Sequence, residues 1–317
     1  MDVHWGPLTT HDAAAWAELA EAVEAADGTG GHHTAEQMAE RLANPLLDLA
    51  EGTLAARQGG RLVAVGVAPV RPTADPKHLM ELWGGAVHPS FRGRGYGRRI
   101  LDWAITTAPV LHARRHPGKP LHLHLPVDET NHDLARLAGS VGFAPVRRFH
   151  SMRRSLDGPV SPPKLPDGVT IAPWTPSLDP LAREVRNAAF RDHWGSSPHT
   201  EESWGRLITG TAAFRPEGSF LAVDEGRAVG CLMTHHRGVD TAWIQIIATV
   251  REWRGRGVAS SLISHALASF QAQGYGTTAL TVDADNETGA VAVYTRAGFE
   301  VFKTVTTYSM DLTPQTP

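Results

Sequence analysis

A chain of 317 residues with 30 Lys and Arg against 33 Asp and Glu has a net charge of −3, which supplies no global field for nucleic acid, so no nucleic-acid partner is expected. Its 42% hydrophobic and 20% charged residues, nine Trp among them, exclude a mainly disordered protein. No apolar run approaches the roughly 18 residues of a membrane span, and the start MDVHWGPLTT lacks a basic segment followed by an apolar one, so the expectation is a cytoplasmic protein, monomer or homodimer, with no membrane partner.

The first segment, THDAAAWAELAEAVEAADG, puts Trp16, Leu19 and Val23 on one helical face, and Thr34 with Gln37 forms a capping box for a second helix. A Gly59-Gly60 turn precedes the strand-like LVAVGVAPV; another strand ends at Val87 and a helix follows RGRGYG. Between Leu156 and Gly168 the run LDGPVSPPKLPDG holds four prolines, which neither helix nor sheet interior tolerates, and reads as a linker. Beyond it the pattern repeats: strand VTIAPW, helices in LDPLAREVRNAAF and TEESWGRLI, hairpin FLAVDEGRAVGCLM, strand WIQIIAT, a long helix, strand TALTVD, a short helix and strand VFKTVTTYSM. Cys231, the one cysteine, lies in the apolar run AVGCLM and reads as a packed thiol; no intrachain disulfide or cysteine-based metal cluster is possible.

The two flanks of the linker are alike. Arg92 matches Arg254, Gly142 matches Gly298 and Met152 matches Met310, at offsets of about 156 to 162, far longer than the ~20–50 residues of a solenoid unit. The predicted organisation is a duplicated mixed α/β domain, each copy a twisted mixed sheet flanked by helices: residues 1–155, a Pro-rich linker over 156–168, and residues 169–317.

The strongest local signal is R-x-x-G-x-G/A between a strand and a helix. It occurs as Arg92-Gly93-Arg94-Gly95-Tyr96-Gly97 and as Arg254-Gly255-Arg256-Gly257-Val258-Ala259. A helix N-terminus leaves about four N–H groups unpaired at the positive end of its dipole, and small residues let a pyrophosphate approach them. No Gly-Lys-Ser/Thr follows, as a P-loop requires, and the dinucleotide fingerprint G-x-G-x-x-G is absent.

On these residues the chain resembles the Gcn5-related N-acetyltransferase family, once per half. In the second half the resemblance extends to a helix with Asn286 at its start, Tyr294 near its end and a Gly298-Phe299 exit. The tandem layout resembles that of mycothiol synthase-like actinobacterial acetyltransferases. The resemblance implies transfer of an acetyl group from acetyl-CoA, as co-substrate, to the primary amine of a small molecule or peptide by direct attack. It also implies a pyrophosphate held by the glycine loop and an oxyanion held by backbone N–H groups of Ile247, Ala248 and Thr249, with Val87 the corresponding strand end in the first half. Tyr294 would then protonate the departing thiolate.

The first half carries Ala138 where the second has Tyr294, so it is expected to bind cofactor or serve as scaffold without turnover. His193 is the first choice of general base from FRDHWGSSPHTEESW, ahead of His199, Glu201, Glu202, His235 and Gln245. No metal is expected: His122 and His124 share a strand face and His32-His33 lies near a turn, yet neither pair has a third ligand at suitable spacing. The rival classes are a non-catalytic acyl-CoA sensor or scaffold and an antibiotic-resistance acetyltransferase, whose acidic cleft Asp224, Glu225, Asp283 and Asp285 would supply.

Overall fold

The computed structural model describes residues 2–28, 33–44, 46–70, 79–162, 164–238, 240–286 and 289–313, so His32 lies outside the described residues. In chain order the strands and helices are β1 (Val3–Gly6), α1 (Ala13–Asp27), α2 (Ala35–Leu42), β2 (Thr53–Gln58), β3 (Arg61–Val67), β4 (Leu79–Glu81), β5 (Trp83–Val87), α3 (Tyr96–Arg115), β6 (His122–Asp128), α4 (His132–Ser140) and β7 (Ala144–Ser155). They continue with β8 (Val169–Pro173), α5 (Asp179–Ala189), α6 (Glu201–Trp204), β9 (Phe220–Asp224), β10 (Arg227–Arg237), β11 (Thr241–Thr249), α7 (Val258–Ala272), β12 (Thr277–Asp283), α8 (Ala290–Arg296) and β13 (Glu300–Asp311).

Two compact units result. Unit 1 comprises Met1–Arg147 with Val305–Pro317, and unit 2 comprises Arg148–Thr304. The division differs from the expected cut at 156–168 at both ends, because strand pairing decides membership. In unit 2, β7 runs antiparallel to β12 with Ser155 opposite Thr277 and Phe149 opposite Asp283. In unit 1, β13 runs antiparallel to β6 with Val305 opposite Asp128 and Asp311 opposite His122.

Unit 1 has an antiparallel sheet in the order β1-β2-β3-β5, and β6 is also paired in parallel with β4. Residues of β3 feed both faces of that sheet. Leu62, Val65 and Val67 pack with Trp16 and Leu19 of α1 and Met38 of α2, while Val63 and Ala64 join Ile100, Leu101 and Ala104 of α3. The Thr34 capping box forms as expected, with the Gln37 N–H donating to Thr34 Oγ1 and the Thr34 N–H to Gln37 Oε1, each at 3.2 Å.

Unit 2 repeats the plan. Ala182 and Val185 of α5 cover Leu221, Cys231, Met233 and Ile246, and Leu262, Ile263, Ala266 and Phe270 of α7 cover Leu232, Ala242 and Ile244. Cys231 is fully buried, and loss of solvent pushes its thiol up to about 12, so it stays an un-ionised packing group.

The Pro-rich segment packs as part of unit 2. Prolines lack N–H donors but keep their carbonyls, and side chains supply the partners. Gln271 Nε2 of α7 donates to the carbonyls of Leu156 at 2.6 Å and Gly158 at 2.8 Å, Arg154 Nη2 donates to Pro159 O at 2.9 Å, and Ser261 Oγ donates to Lys164 O.

Candidate active site

The site begins with a bulge. Along the antiparallel β10–β11 ladder Met233 faces Ile246 but Thr234 faces Ile244, leaving Gln245 as an extra residue in β11. A bulge bends and twists its strand. The parallel pairing of β11 with β12 runs from Thr241 opposite Thr277 to Ile244 opposite Leu280 and ends there, one residue before the bulge. Gln245 to Thr249 on one side and Thr281 to Asp283 on the other then line a cavity of about 470 Å³.

At the end of β11 a short 3₁₀ turn, Arg251–Trp253, leads into the glycine loop and α7. Gly255 and Gly257 have φ of +74° and +89°, a region that strains any side chain, and no atom of the described residues lies within 4 Å of where a Cβ on Gly255 would sit. Gly257 is the N-cap of α7. Gly255, Gly257, Val258, Ala259 and Ser260 all line the cavity, so the unpaired N–H groups of the first turn border it. The glycine loop and the first turn of α7 therefore leave an open backbone surface on the cavity.

The motif arginines have partners within unit 2. Arg254 also borders the cavity, but its Nη2 donates to the carbonyl of Ala189 at 2.8 Å and its Nε to that of Thr249 at 3.5 Å, pinning the loop to the ends of α5 and β11. Arg256 lies over the Trp253 ring at 5.0 Å and is not among the lining residues.

Ile247, Ala248, Thr249, Asn286, Tyr294 and His193 complete the gathering of predicted residues around the same cavity. Tyr294 is 7% exposed, its ring edge-on to Phe299 at 6.1 Å, and its hydroxyl has no hydrogen-bond partner among the described residues. Burial raises its pKa above the ordinary phenol value, so it is a neutral donor. His193 Nδ1 is 3.0 Å from the Trp194 carbonyl. A carbonyl only accepts, so Nδ1 is the donor in this contact and Nε2 lies outside it. Asn286 is displaced from the expected helix start: α8 begins at Ala290 with Gly289 as N-cap. The hydroxyl of Thr249 is enclosed and has no partner among the described residues, an uncompensated polar group on the wall of the site.

The profile of the acetyltransferase (GNAT) family matches residues 16–143 and again 181–299. The chain belongs to this family. It is accordingly an N-acetyltransferase, built from two copies of the family fold. A protein named mycothiol acetyltransferase from Streptomyces coelicolor is 33% identical over 304 residues, covering 91% of this chain and 89% of that one. A protein of the same name from Thermobispora bispora is 32% identical over 298 residues, covering 92% and 93%. Among solved structures, a GCN5-related N-acetyltransferase from Sphaerobacter thermophilus superposes with a TM-score of 0.80 at 26% identity, covering 99% of this chain and 97% of that one. A tandem GNAT protein from the clavulanic acid biosynthesis pathway gives 0.74 at 18% identity, covering 99% and 100%, a likeness of fold.

The GNAT copy in unit 1 keeps the loop and changes the rest. Gly93 and Gly95 have φ of +72° and +82°, Gly95 caps α3, and Arg92 Nε donates to Val87 O at 3.3 Å while its two Nη atoms hold Asp27 at 2.7 and 2.8 Å. Arg94 Nη2 donates to Ser90 O at 3.0 Å. Tyr96 stacks on Phe91 at 6.3 Å and meets Trp5 edge-on at 5.6 Å, and a Cβ on Gly97 would lie 3.2 Å from Leu137 of α4. Ala138 is wholly buried where unit 2 has Tyr294.

Several expected candidates stand elsewhere in the fold. His235 is buried with its Nε2 at 3.0 Å from Ile208 O, and desolvation lowers its pKa to about 4. His199 Nδ1 is 3.3 Å from Ser203 Oγ, Glu201 and Glu202 occupy the first turn of α6 behind the N-cap Thr200, Asp224 ends β9, and Glu225 lies in the β9–β10 turn. Asp283 is buried on the cavity wall, where its Oδ1 accepts the Asp285 N–H at 3.1 Å. Phe149, Phe190 and Arg296, not singled out from the sequence, also line the cavity.

Proposed function

We propose that unit 2 transfers an acetyl group from acetyl-CoA to the primary amine of a small molecule by direct attack. The observation that carries this reading is the convergence on one cavity of a freed strand edge, a glycine-capped helix start and an unpartnered phenol. Those features suit the co-substrate: the first turn of α7 would hold the pyrophosphate, and the edge of β11 and the orphan Thr249 hydroxyl offer hydrogen bonds to an extended amide-bearing arm. Acetyl-CoA supplies the acetyl group and a thiolate leaving group.

The chain's own residues then divide the work. Backbone N–H groups of Ile247 to Thr249 stabilise charge on the carbonyl oxygen. An amine of pKa ~10.4 costs about 4.6 kcal/mol to deprotonate at pH 7; Nε2 of His193 receives that proton, Tyr294 delivers one to sulfur as the C–S bond breaks, and the second proton that nitrogen loses on becoming an amide restores the Tyr294 phenol. The relatives' name, mycothiol acetyltransferase, supports a small-molecule amine connected with mycothiol as the first acceptor to try. Unit 1 has the cradle without the phenol, which supports binding without turnover there.

The test is thiol release from acetyl-CoA by the full chain across a panel of small amines and peptides, with calorimetry for stoichiometry. Amine-dependent release with up to two acetyl-CoA bound per chain is expected. Binding with no turnover on any amine would refute the enzymatic reading and leave an acyl-CoA-binding module.

A further inference from the structure

The cavity wall of unit 2 holds a cation to which neither the catalytic reading nor the motif assigns a role. Arg296 closes α8, is exposed, and borders the cavity with Tyr294 two residues before it and Val293 and Ala290 on the same helix. Its guanidinium forms no hydrogen bond or ion pair with any described residue. Arg254, the other arginine on the wall, spends its donors on the carbonyls of Ala189 and Thr249. The cavity thus presents one guanidinium used internally and one with its donors available to a ligand, and a guanidinium fork matches phosphate oxygens in a bidentate geometry.

The duplicated fold provides an internal comparison. At the offset of 156 that aligns Tyr294 with Ala138 and Gly298 with Gly142, Arg296 corresponds to Ser140. Ser140 Oγ donates to the Leu137 carbonyl at 2.8 Å, a local bond at the end of α4. The helix end therefore forms without an arginine, and the charge appears in the unit that also has the phenol and the cavity.

We infer that Arg296 binds a phosphate of the acyl-CoA co-substrate and makes unit 2 the higher-affinity of the two cradles. The inference rests on the acetyl-CoA reading above. A charge-assisted contact at a partly solvated rim is worth about a tenfold change in affinity, and it weakens as salt rises.

The experiment uses the full chain, titrated calorimetrically with acetyl-CoA and with 3′-dephospho-acetyl-CoA, as wild type, Arg296→Ala and Arg296→Lys. Expected is about tenfold weaker acetyl-CoA binding at the tight site in Arg296→Ala, partial recovery in Arg296→Lys and a flatter salt dependence in the alanine variant. If wild type loses affinity for the dephospho compound and Arg296→Ala loses no more, the contact is to the 3′-phosphate; equal losses for both ligands assign it to the pyrophosphate. Unchanged acetyl-CoA affinity with a raised acceptor KM would overturn the inference by assigning the guanidinium to the acceptor, and no change in either would overturn it outright. Failure of wild type to bind acetyl-CoA would instead sink the functional reading on which it rests.

Discussion

Changing Tyr294 to Phe removes one oxygen and leaves the packing in place. The ring is 93% covered and meets Phe299 edge-on at 6.1 Å, contacts that a phenyl group retains. Because the hydroxyl has no partner among the described residues, its loss breaks no protein hydrogen bond, and stability should change by less than about 1 kcal/mol. At ordinary values a phenol near ~10 giving its proton to a thiolate near ~8.5 is uphill by about 2 kcal/mol. Burial raises the phenol further, and it raises a thiolate formed in the same cavity too, so the gap need not widen. Without the donor the thiolate must leave unprotonated, and kcat should fall at least tenfold, about 1.4 kcal/mol in barrier, toward the 10²–10⁴ typical of a lost general acid. Acetyl-CoA affinity should stay within about threefold, since the oxygen acts only as the bond to sulfur breaks. Stopped-time thiol release and calorimetry on protein with a native circular dichroism spectrum measure both quantities. A folded variant with unchanged kcat would remove Tyr294 from the mechanism.

Gly257→Val should abolish turnover, because φ of +89° strains a branched residue by about 1–3 kcal/mol and its methyls intrude on the phosphate path, whereas Gly95→Val should leave the chemistry of unit 2 largely intact; equal losses would mean the two loops are functionally coupled. His193→Gln should lower kcat/KM about a hundredfold, and a folded variant with unchanged kcat/KM would assign the base to another group. His235 should make the fold acid-sensitive. With a folded value of about 4 and an unfolded one near ~6.5, the unfolded chain binds more protons between these limits, so stability is complete above about pH 6.5 and drops by up to about 3 kcal/mol on approach to pH 4. His235→Gln should blunt that dependence in thermal melts taken from pH 4 to 7, and an unaltered slope would contradict the burial argument.

What the sequence carried about this site was chiefly local. Two glycine loops, each between a strand and a helix, and a tyrosine before Gly298-Phe299 are features of neighbouring residues, and the fold brings those of unit 2 together around the cavity. The guanidinium of Arg254 has a partner that local pattern does not show: its Nη2 donates to the carbonyl of Ala189, 65 residues away, while the residue still borders the cavity. Phe149 escaped notice because its place depends on β7 pairing with β12, which period-2 patterning does not encode. Asn286 was set at a helix start because Asn is a strong N-cap, but the helix begins four residues later behind Gly289. The Pro-rich stretch looked like a spacer because prolines cannot join a ladder; their neighbours' carbonyls nonetheless dock on α7.

The exchange of terminal strands has a consequence for how the protein is made. Met152, which ends the first sequence repeat, is buried in the core of unit 2, and Met310, which ends the second, packs in unit 1 with its methyl 3.2 Å from the Cβ position of Gly142. Leu312 and Thr313 then tie the tail to Leu121, with the Leu312 N–H donating to Leu121 O at 2.9 Å and the Leu121 N–H to Thr313 Oγ1 at 3.1 Å. During translation the nascent N-terminal unit therefore waits, with one side of β6 unpaired, for a strand that emerges from the ribosome nearly two hundred residues later. Unit 2 has all its strands before that moment, so the second repeat is free to finish folding first, the reverse of the usual N-to-C order. A gene cut at the prolines would give two polypeptides that each lack the closing strand of their fold, and both fragments would be prone to pair edge to edge.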